Sequence, residues 1–173
     1  MKHLDECISA TPRKANSGQS PVRNVGIDID GTITAAPRLF AEMIGRVRNV
    51  GGRVHIVSSR SPQARDDTVA ELSSLGIAFD ALHLLKPWAE RKTPCSLERL
   101  DWYEQYLWQK VEYAQENDLS TFFDDDPKVV GLFLAYAPEV RIVRPPWDGR
   151  NVCLRAVLRS ASEPIRPNEP LSD

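Results

Sequence analysis

No stretch of this chain approaches the ~18 consecutive apolar residues that a membrane-spanning helix needs. Cysteine is scarce: Cys7, Cys95 and Cys153 are odd in number and widely spaced, which argues against a disulfide framework and against a zinc site with paired ligands. An excess of one charge is missing too. With 22 basic and 24 acidic residues the formal net charge is -2, so the overall balance calls for neither nucleic acid nor an anionic membrane. The opening residues lack the apolar core of a secretory signal, and reduced thiols in a cytoplasm are the expectation that follows. No internal repeat is visible. What remains is a chain of 173 residues, 42% hydrophobic, which suits one domain with a sizeable core and is short for two.

Residues 1–21 and 161–173 mix charge with small and turn-forming residues and show no sustained apolar period. They are expected to be flexible tails flanking one folded domain at 22–160. Within that domain the organising stretch is 25–34, Val-Gly-Ile-Asp-Ile-Asp-Gly-Thr-Ile-Thr. The apolar segment 22–29 predicts a buried strand that runs directly into Asp28, Asp30 and Gly31. In an open α/β sheet the ligand crevice lies beyond the carboxyl ends of the strands, so these carboxylates would project into it. The competing reading of Asp30 and Gly31 is a plain hairpin turn.

Further along, Pro37 opens a helix with Leu39, Phe40, Met43, Ile44, Val47 and Val50 as its buried stripe, ended by Gly51 and Gly52. A second strand is predicted at 53–57, followed at once by Ser58, Ser59 and Arg60. His55 inside it reads as a hydrogen-bonded structural residue rather than a catalytic one. A helix over 62–75 with Val69, Leu72 and Leu75 on one face is closed by Gly76. A third strand follows at 81–85, then a polar stretch 86–96, then a long helix over 97–116. Its aromatics Trp102, Tyr103, Tyr106 and Trp108 are read as packing groups before substrate contacts. A fourth strand at 119–123 ends in Asp124, Asp125 and Asp126, where Asp126 can cap a helix opened by Pro127. A fifth strand is expected at 140–143, and 152–158 is a short helix or strand. Strands alternating with helices predict an α/β fold, a doubly wound and mainly parallel sheet with helices on both faces.

Polar clusters therefore recur at strand ends: Asp28 and Asp30, Ser58, then Asp124 and Asp125, with a lysine on the helix before the fourth strand. In that order they resemble the haloacid dehalogenase-like phosphatase superfamily, a Rossmann-type fold. Its motif Asp-x-Asp-Gly-Thr is matched by Asp28, Ile29, Asp30, Gly31 and Thr32, its strand ending in Ser or Thr by Ser58, and its late acidic motif by Asp124 and Asp125. For its loosely patterned lysine Lys110 is the first choice, with Lys86 and Lys92 in competition. The resemblance implies a magnesium-dependent phosphatase that hydrolyses a phosphate monoester through an aspartyl phosphate. Asp28 would be the nucleophile and Asp30 the acid and base, with Thr32, Ser58, Ser59 and Lys110 binding phosphate. Magnesium would be held by Asp28, the Asp30 backbone carbonyl and an acid of the late motif, Asp124 before Asp125. Asp126 reads as a helix cap.

The chemistry needs such residues whatever the family. A carboxylate attacking a phosphate dianion meets repulsion on the order of 4 kcal/mol per charge pair at 4 Å and an effective dielectric of 20. A hard cation, a lysine and a hydroxyl offset it. A receiver domain uses similar groups, but there an acidic pair comes first and a lone aspartate later, the reverse of the order here. A phosphate- or partner-binding module without turnover is the other alternative. Finally, only 27 residues separate Asp30 from Ser58, which a turn, a helix and a strand consume. The expectation is a capless or minimally capped site, with 86–96 as the one stretch free to form a small lid. Such an opening suits a large phosphorylated substrate, a nucleic-acid end or a phosphoprotein, or a lid lent by another subunit.

Overall fold

The computed structural model describes residues 24–87 and 99–145. Five strands, β1 (Asn24–Ile27), β2 (Val54–Ser58), β3 (Ala81–Leu84), β4 (Leu119–Phe123) and β5 (Arg141–Val143), form one sheet in the order β3-β2-β1-β4-β5. All four pairings are parallel. Parallel neighbours need crossovers, and four helices supply them: α1 (Pro37–Asn49), α2 (Arg65–Ser74), α3 (Trp102–Glu116) and α4 (Pro127–Tyr136).

The two faces follow from the period-2 alternation of the strands. Val25, Ile27, Val54, Ile56 and Phe123 point to the side covered by Leu39, Phe40, Met43, Ile44 and Val47 of α1 and Leu72 of α2. Val57 and Phe122 point the other way, joined by Leu119 from beyond a register shift in β4, to Leu107, Val111 and Ala114 of α3 and Val129, Leu132 and Phe133 of α4. Because both faces are covered, β2 is buried at all five positions and shows an apolar run instead of alternation. This is a Rossmann-like doubly wound fold. Winding starts at β1, runs outward through β2 to β3, then returns across to β4, so the direction reverses between β1 and β4. At that reversal the two flanking loops leave in opposite directions and open a crevice. Gly26 lets the central strands approach, since a Cβ there would lie 2.4 Å from the Phe122 ring.

Several sequence expectations shift. The first strand ends at Ile27, two residues before the end of the apolar run, because Ile29 already lies in the irregular turn Ile29–Ile33. Val50 leaves the buried stripe and is 77% exposed, since α1 ends at Asn49 and its period no longer applies. Val69 is exposed as well. A 3-10 turn at Pro62–Ala64 delays α2 to Arg65, and Thr68 with Leu72 forms its buried face instead. The long helix begins at Trp102, not at 97, because Asp101 and Glu104 form a reciprocal capping box there. β4 and the Asp126 cap of α4 agree with expectation, the Asp126 side chain accepting from Lys128 N at 2.8 Å. Between Asp30 and Ser58 the chain holds only a turn, α1 and the entry to β2, and no inserted domain. Both tails, Lys92, all three cysteines, the 152–158 element and most of the 86–96 stretch lie outside the described residues.

Candidate active site

Asp28 and Asp124 sit immediately after β1 and β4, the two strands that border the reversal. Ladder hydrogen bonds fix both backbones, Asp28 N donating to Phe123 O at 2.9 Å and Asp124 N to Val143 O at 3.2 Å. Lys110 reaches them from α3, on the same face as Leu107, Val111 and Ala114. Its Nζ donates to Asp28 Oδ1 at 2.8 Å and to Asp124 Oδ2 at 2.7 Å, with all three side chains 6% exposed or less. Asp125 completes the group. One carboxylate oxygen from each of Asp28, Asp124 and Asp125 lies within 4.8 Å of the others.

The turn after β1 holds Asp125 in place. Thr32 is buried and its hydroxyl donates to Asp125 Oδ1 at 2.9 Å. Gly31 has φ +78°, and a Cβ there would fall 2.3 Å from Asp125 Oδ2. Glycine is thus required twice, by backbone conformation and by space. The Asp124 carboxylate also accepts from Asp126 N at 3.0 Å.

Electrostatics show a shortage of positive charge. Among the described residues, three carboxylates face one ammonium. Burial pushes Asp28 up from 3.8 to about 7, opposed by Lys110 and reinforced by the charge of Asp124. Asp124 is likewise raised by burial against the pull of Lys110. Burial pulls Lys110 down, but Asp28 and Asp124 together outweigh it and hold the ammonium above its ordinary range. The hard carboxylate oxygens and the missing positive charge fit a divalent cation such as magnesium. Asp28, Asp124 and Asp125 would hold it.

The remaining candidates make their hydrogen bonds elsewhere. Ser58 is buried; its carbonyl accepts from Leu85 N at 3.0 Å and its Oγ from Arg60 N at 3.3 Å. Ser59 is exposed, and its carbonyl accepts from the Tyr106 hydroxyl at 2.8 Å. Asp30 is exposed and its carboxylate is not part of the acidic group, which leaves its backbone carbonyl as the atom to offer a cation. Both its oxygens accept from Arg60, at 2.8 and 2.6 Å, and those hydrogen bonds hold the Asp30 carboxyl below its usual range. Lys86 is exposed and is tied through its backbone to the Gln109 side chain. Thus Asp28, Thr32, Lys110, Asp124 and Asp125 come together, while Asp30, Ser58 and Ser59 make their hydrogen bonds to Arg60, Leu85 and Tyr106. Among the aromatics, Tyr103, Tyr106 and Trp108 pack against the core and Trp102 is 67% exposed.

Two features are absent from the sequence reading. Arg60 forks onto Asp30, and its Nη1 also donates to Glu71 Oε2 at 2.5 Å. Its place two residues after Ser58 was the available signal; Glu71, eleven residues on, had none. Tyr103 and Tyr106 tie α3 to both walls, Tyr103 donating to Asp126 Oδ2 at 3.1 Å and Tyr106 to the Ser59 carbonyl.

Among the described residues no helix is long and apolar enough to cross a membrane. No protein-family model matches the chain, and no curated protein sequence matches it. A solved structure described as the Pnkp1/Rnl/Hen1 complex is similar in fold, with a TM-score of 0.52 and 18% identity, covering 79% of this chain. This chain spans 50% of the chain that it matches there.

Proposed function

We propose that residues 22–160 form a magnesium-dependent phosphatase of the haloacid dehalogenase type, acting on phosphate monoesters through an aspartyl phosphate. The observation that carries the reading is the position of Lys110 between Asp28 and Asp124, with Asp125 beside them, at the reversal of the sheet. A lone metal site would not need a lysine bonded to two of its carboxylates. A nucleophilic carboxylate facing a phosphate dianion does need it.

Asp28 Oδ1 is occupied by Lys110. Attack on phosphorus therefore falls to Oδ2. Arg60 holds Asp30 ionised, so Asp30 first leaves that fork and takes a proton from solvent; the Asp28 Oδ2–P bond then forms as the bond from phosphorus to the leaving oxygen breaks, and Asp30 gives that oxygen the proton. Asp30 then takes a proton from water as the water oxygen attacks phosphorus, which returns the Asp28 carboxylate and releases inorganic phosphate. Lys110 stays bonded to Asp28 throughout and limits the charge that builds on the phosphoryl oxygens. Ser58 supplies a hydroxyl at the second strand end. Bound magnesium would neutralise the acids and hold a phosphoryl oxygen. The Asp30–Ser58 interval carries no inserted cap, which supports a bulky substrate such as a nucleic-acid end or phosphoprotein.

The test is Asp28→Asn, assayed on p-nitrophenyl phosphate with magnesium. Turnover should fall by at least about a thousandfold, as loss of a nucleophile does, while the variant remains folded. A variant within tenfold of the unaltered protein removes Asp28 from the role.

A further inference from the structure

We propose that Arg60 is a leaving-group subsite: its guanidinium takes up a second phosphate carried by the substrate, and that exchange frees Asp30. The inference rests on the phosphatase reading and adds a substrate class to it. The substrate is a phosphate monoester with another phosphate on its leaving group, as in a nucleoside bisphosphate or the end of a nucleic acid.

The geometry is that of a latch. Arg60 Nε and Nη2 engage the two oxygens of Asp30 at 2.8 and 2.6 Å, the fork-to-fork pairing that guanidinium makes with carboxylate or phosphate alike. Glu71 holds the remaining nitrogen. The Asp30 side chain is 56% exposed and that of Arg60 21%, so an arriving group can reach the pair from solvent on the Asp30 side. Its support is rigid. Leu85 N holds the Ser58 carbonyl, Tyr106 holds the Ser59 carbonyl, and the Arg60 amide is turned onto the Ser58 hydroxyl.

With both oxygens accepting from Arg60, Asp30 has none to present to the leaving oxygen, and proton transfer requires one within hydrogen-bond reach. A substrate without a second anion must break the fork and put nothing in its place. A second phosphate reproduces it, since its oxygens accept from the same two nitrogens while Glu71 keeps the guanidinium where it is. Arg60 stands beside the proton donor, so the second phosphate must lie on the leaving group and not on the scissile side.

The test compares adenosine 3',5'-bisphosphate, the 3'- and 5'-monophosphates of adenosine, and a 3'- or 5'-phosphorylated dinucleotide, with p-nitrophenyl phosphate as a check on turnover. The unaltered protein should favour the better of the two-phosphate substrates over the monophosphates by about tenfold or more in kcat/KM, the worth of one charge-assisted contact. Arg60→Gln should draw them level, mainly through KM; Arg60→Lys, which keeps the charge and loses the fork, should fall between. In an Asp28→Asn background, calorimetry should show the same ranking in Kd without turnover. Preference for the dinucleotide assigns the latch to nucleic-acid ends, and parity with the bisphosphate assigns it to small bisphosphates. Equal use of all substrates by an active unaltered protein overturns the inference, as does an Arg60→Gln or Arg60→Lys variant that slows every substrate by one factor. Failure to hydrolyse even p-nitrophenyl phosphate overturns the phosphatase reading, and this inference with it.

Discussion

Replacing Lys110 by Met keeps most of the side-chain stem and removes the one ammonium from the acidic group. In the folded protein this Nζ is the donor at 2.8 and 2.7 Å to two carboxylates that are themselves 6% and 1% exposed. Without it, Asp28, Asp124 and Asp125 face one another within 4.8 Å. Breaking a buried pair from one side costs about 3–5 kcal/mol, and solvent screening is small at this depth. For a chain of this size that corresponds to a Tm lower by roughly 6–20 °C. The deficit should depend on pH in a definite sense. Burial has already raised Asp28 from 3.8 to about 7, and Lys110 is the main force opposing the rise. Its loss lifts Asp28 further. A carboxyl raised in the folded state contributes stability that is fully present below its unfolded value and is lost as pH rises through its folded value. The variant should therefore come closest to the unaltered protein near pH 4 and fall furthest behind above pH 7. Magnesium should restore part of the difference, because a cation that binds only the folded form stabilises it by mass action. Urea unfolding at several pH values in EDTA, and again with magnesium, measures all three. A deficit below about 1 kcal/mol at pH 8 in EDTA, or one that does not vary with pH, would refute the account of Lys110 as the counter-charge.

Three further outcomes are expected. Gly31→Ala should cost about 1–2 kcal/mol for its left-handed backbone alone, and more because its Cβ meets Asp125; unchanged melting and unchanged magnesium affinity together would contradict this. Thr32→Val should lose about 1 kcal/mol of stability and weaken magnesium binding by releasing Asp125, measured by calorimetry. His83 stacks on Tyr113 with ring centroids 4.3 Å apart, and burial first, then Lys86, hold its imidazole below 6.5. Such a histidine gives stability that is present above pH 6.5 and lost as pH falls through its folded value, so His83→Phe should keep the stacking and flatten the fall in stability between pH 6.5 and 5. A slope identical to that of the unaltered protein would sink the assignment.

The sequence made some of this legible because local rules coincide there with the fold. The run from Val25 to Asp28, the strand at Leu119–Phe123 and the Asp126-Pro127 helix start each combine an apolar period with a polar stop, and each stands where it was expected. Boundaries failed where two signals compete. Val50 continues the period of α1 but follows its last helical residue, and the Pro62–Ala64 turn rotates the face on which Val69 would have been buried. At the site, strand-end acids were visible, but the contact of Lys110 with Asp28, 82 positions away in sequence, is tertiary, and no spacing separates it from Lys86. The Arg60–Glu71 pair was invisible for a related reason, since charged residues on loops and helices are mostly solvated and carry no period.

Tyr103, Tyr106 and Lys110 lie three and seven residues apart on α3, which sets them along one side of the helix. The first reaches the loop after β4, the second the loop after β2, and the third the carboxylates between them. One rigid rod thus gauges the gap between two walls and delivers the charge at its base. Each loop is tied to the helix by one tyrosine hydroxyl, so the spacing between them is set by the helix they share. The rod also makes this part of the chain intolerant of changes in length. A single residue inserted between Tyr106 and Lys110 would turn everything beyond it by about 100°, swinging the ammonium out of the site while both tyrosines still held the walls in register.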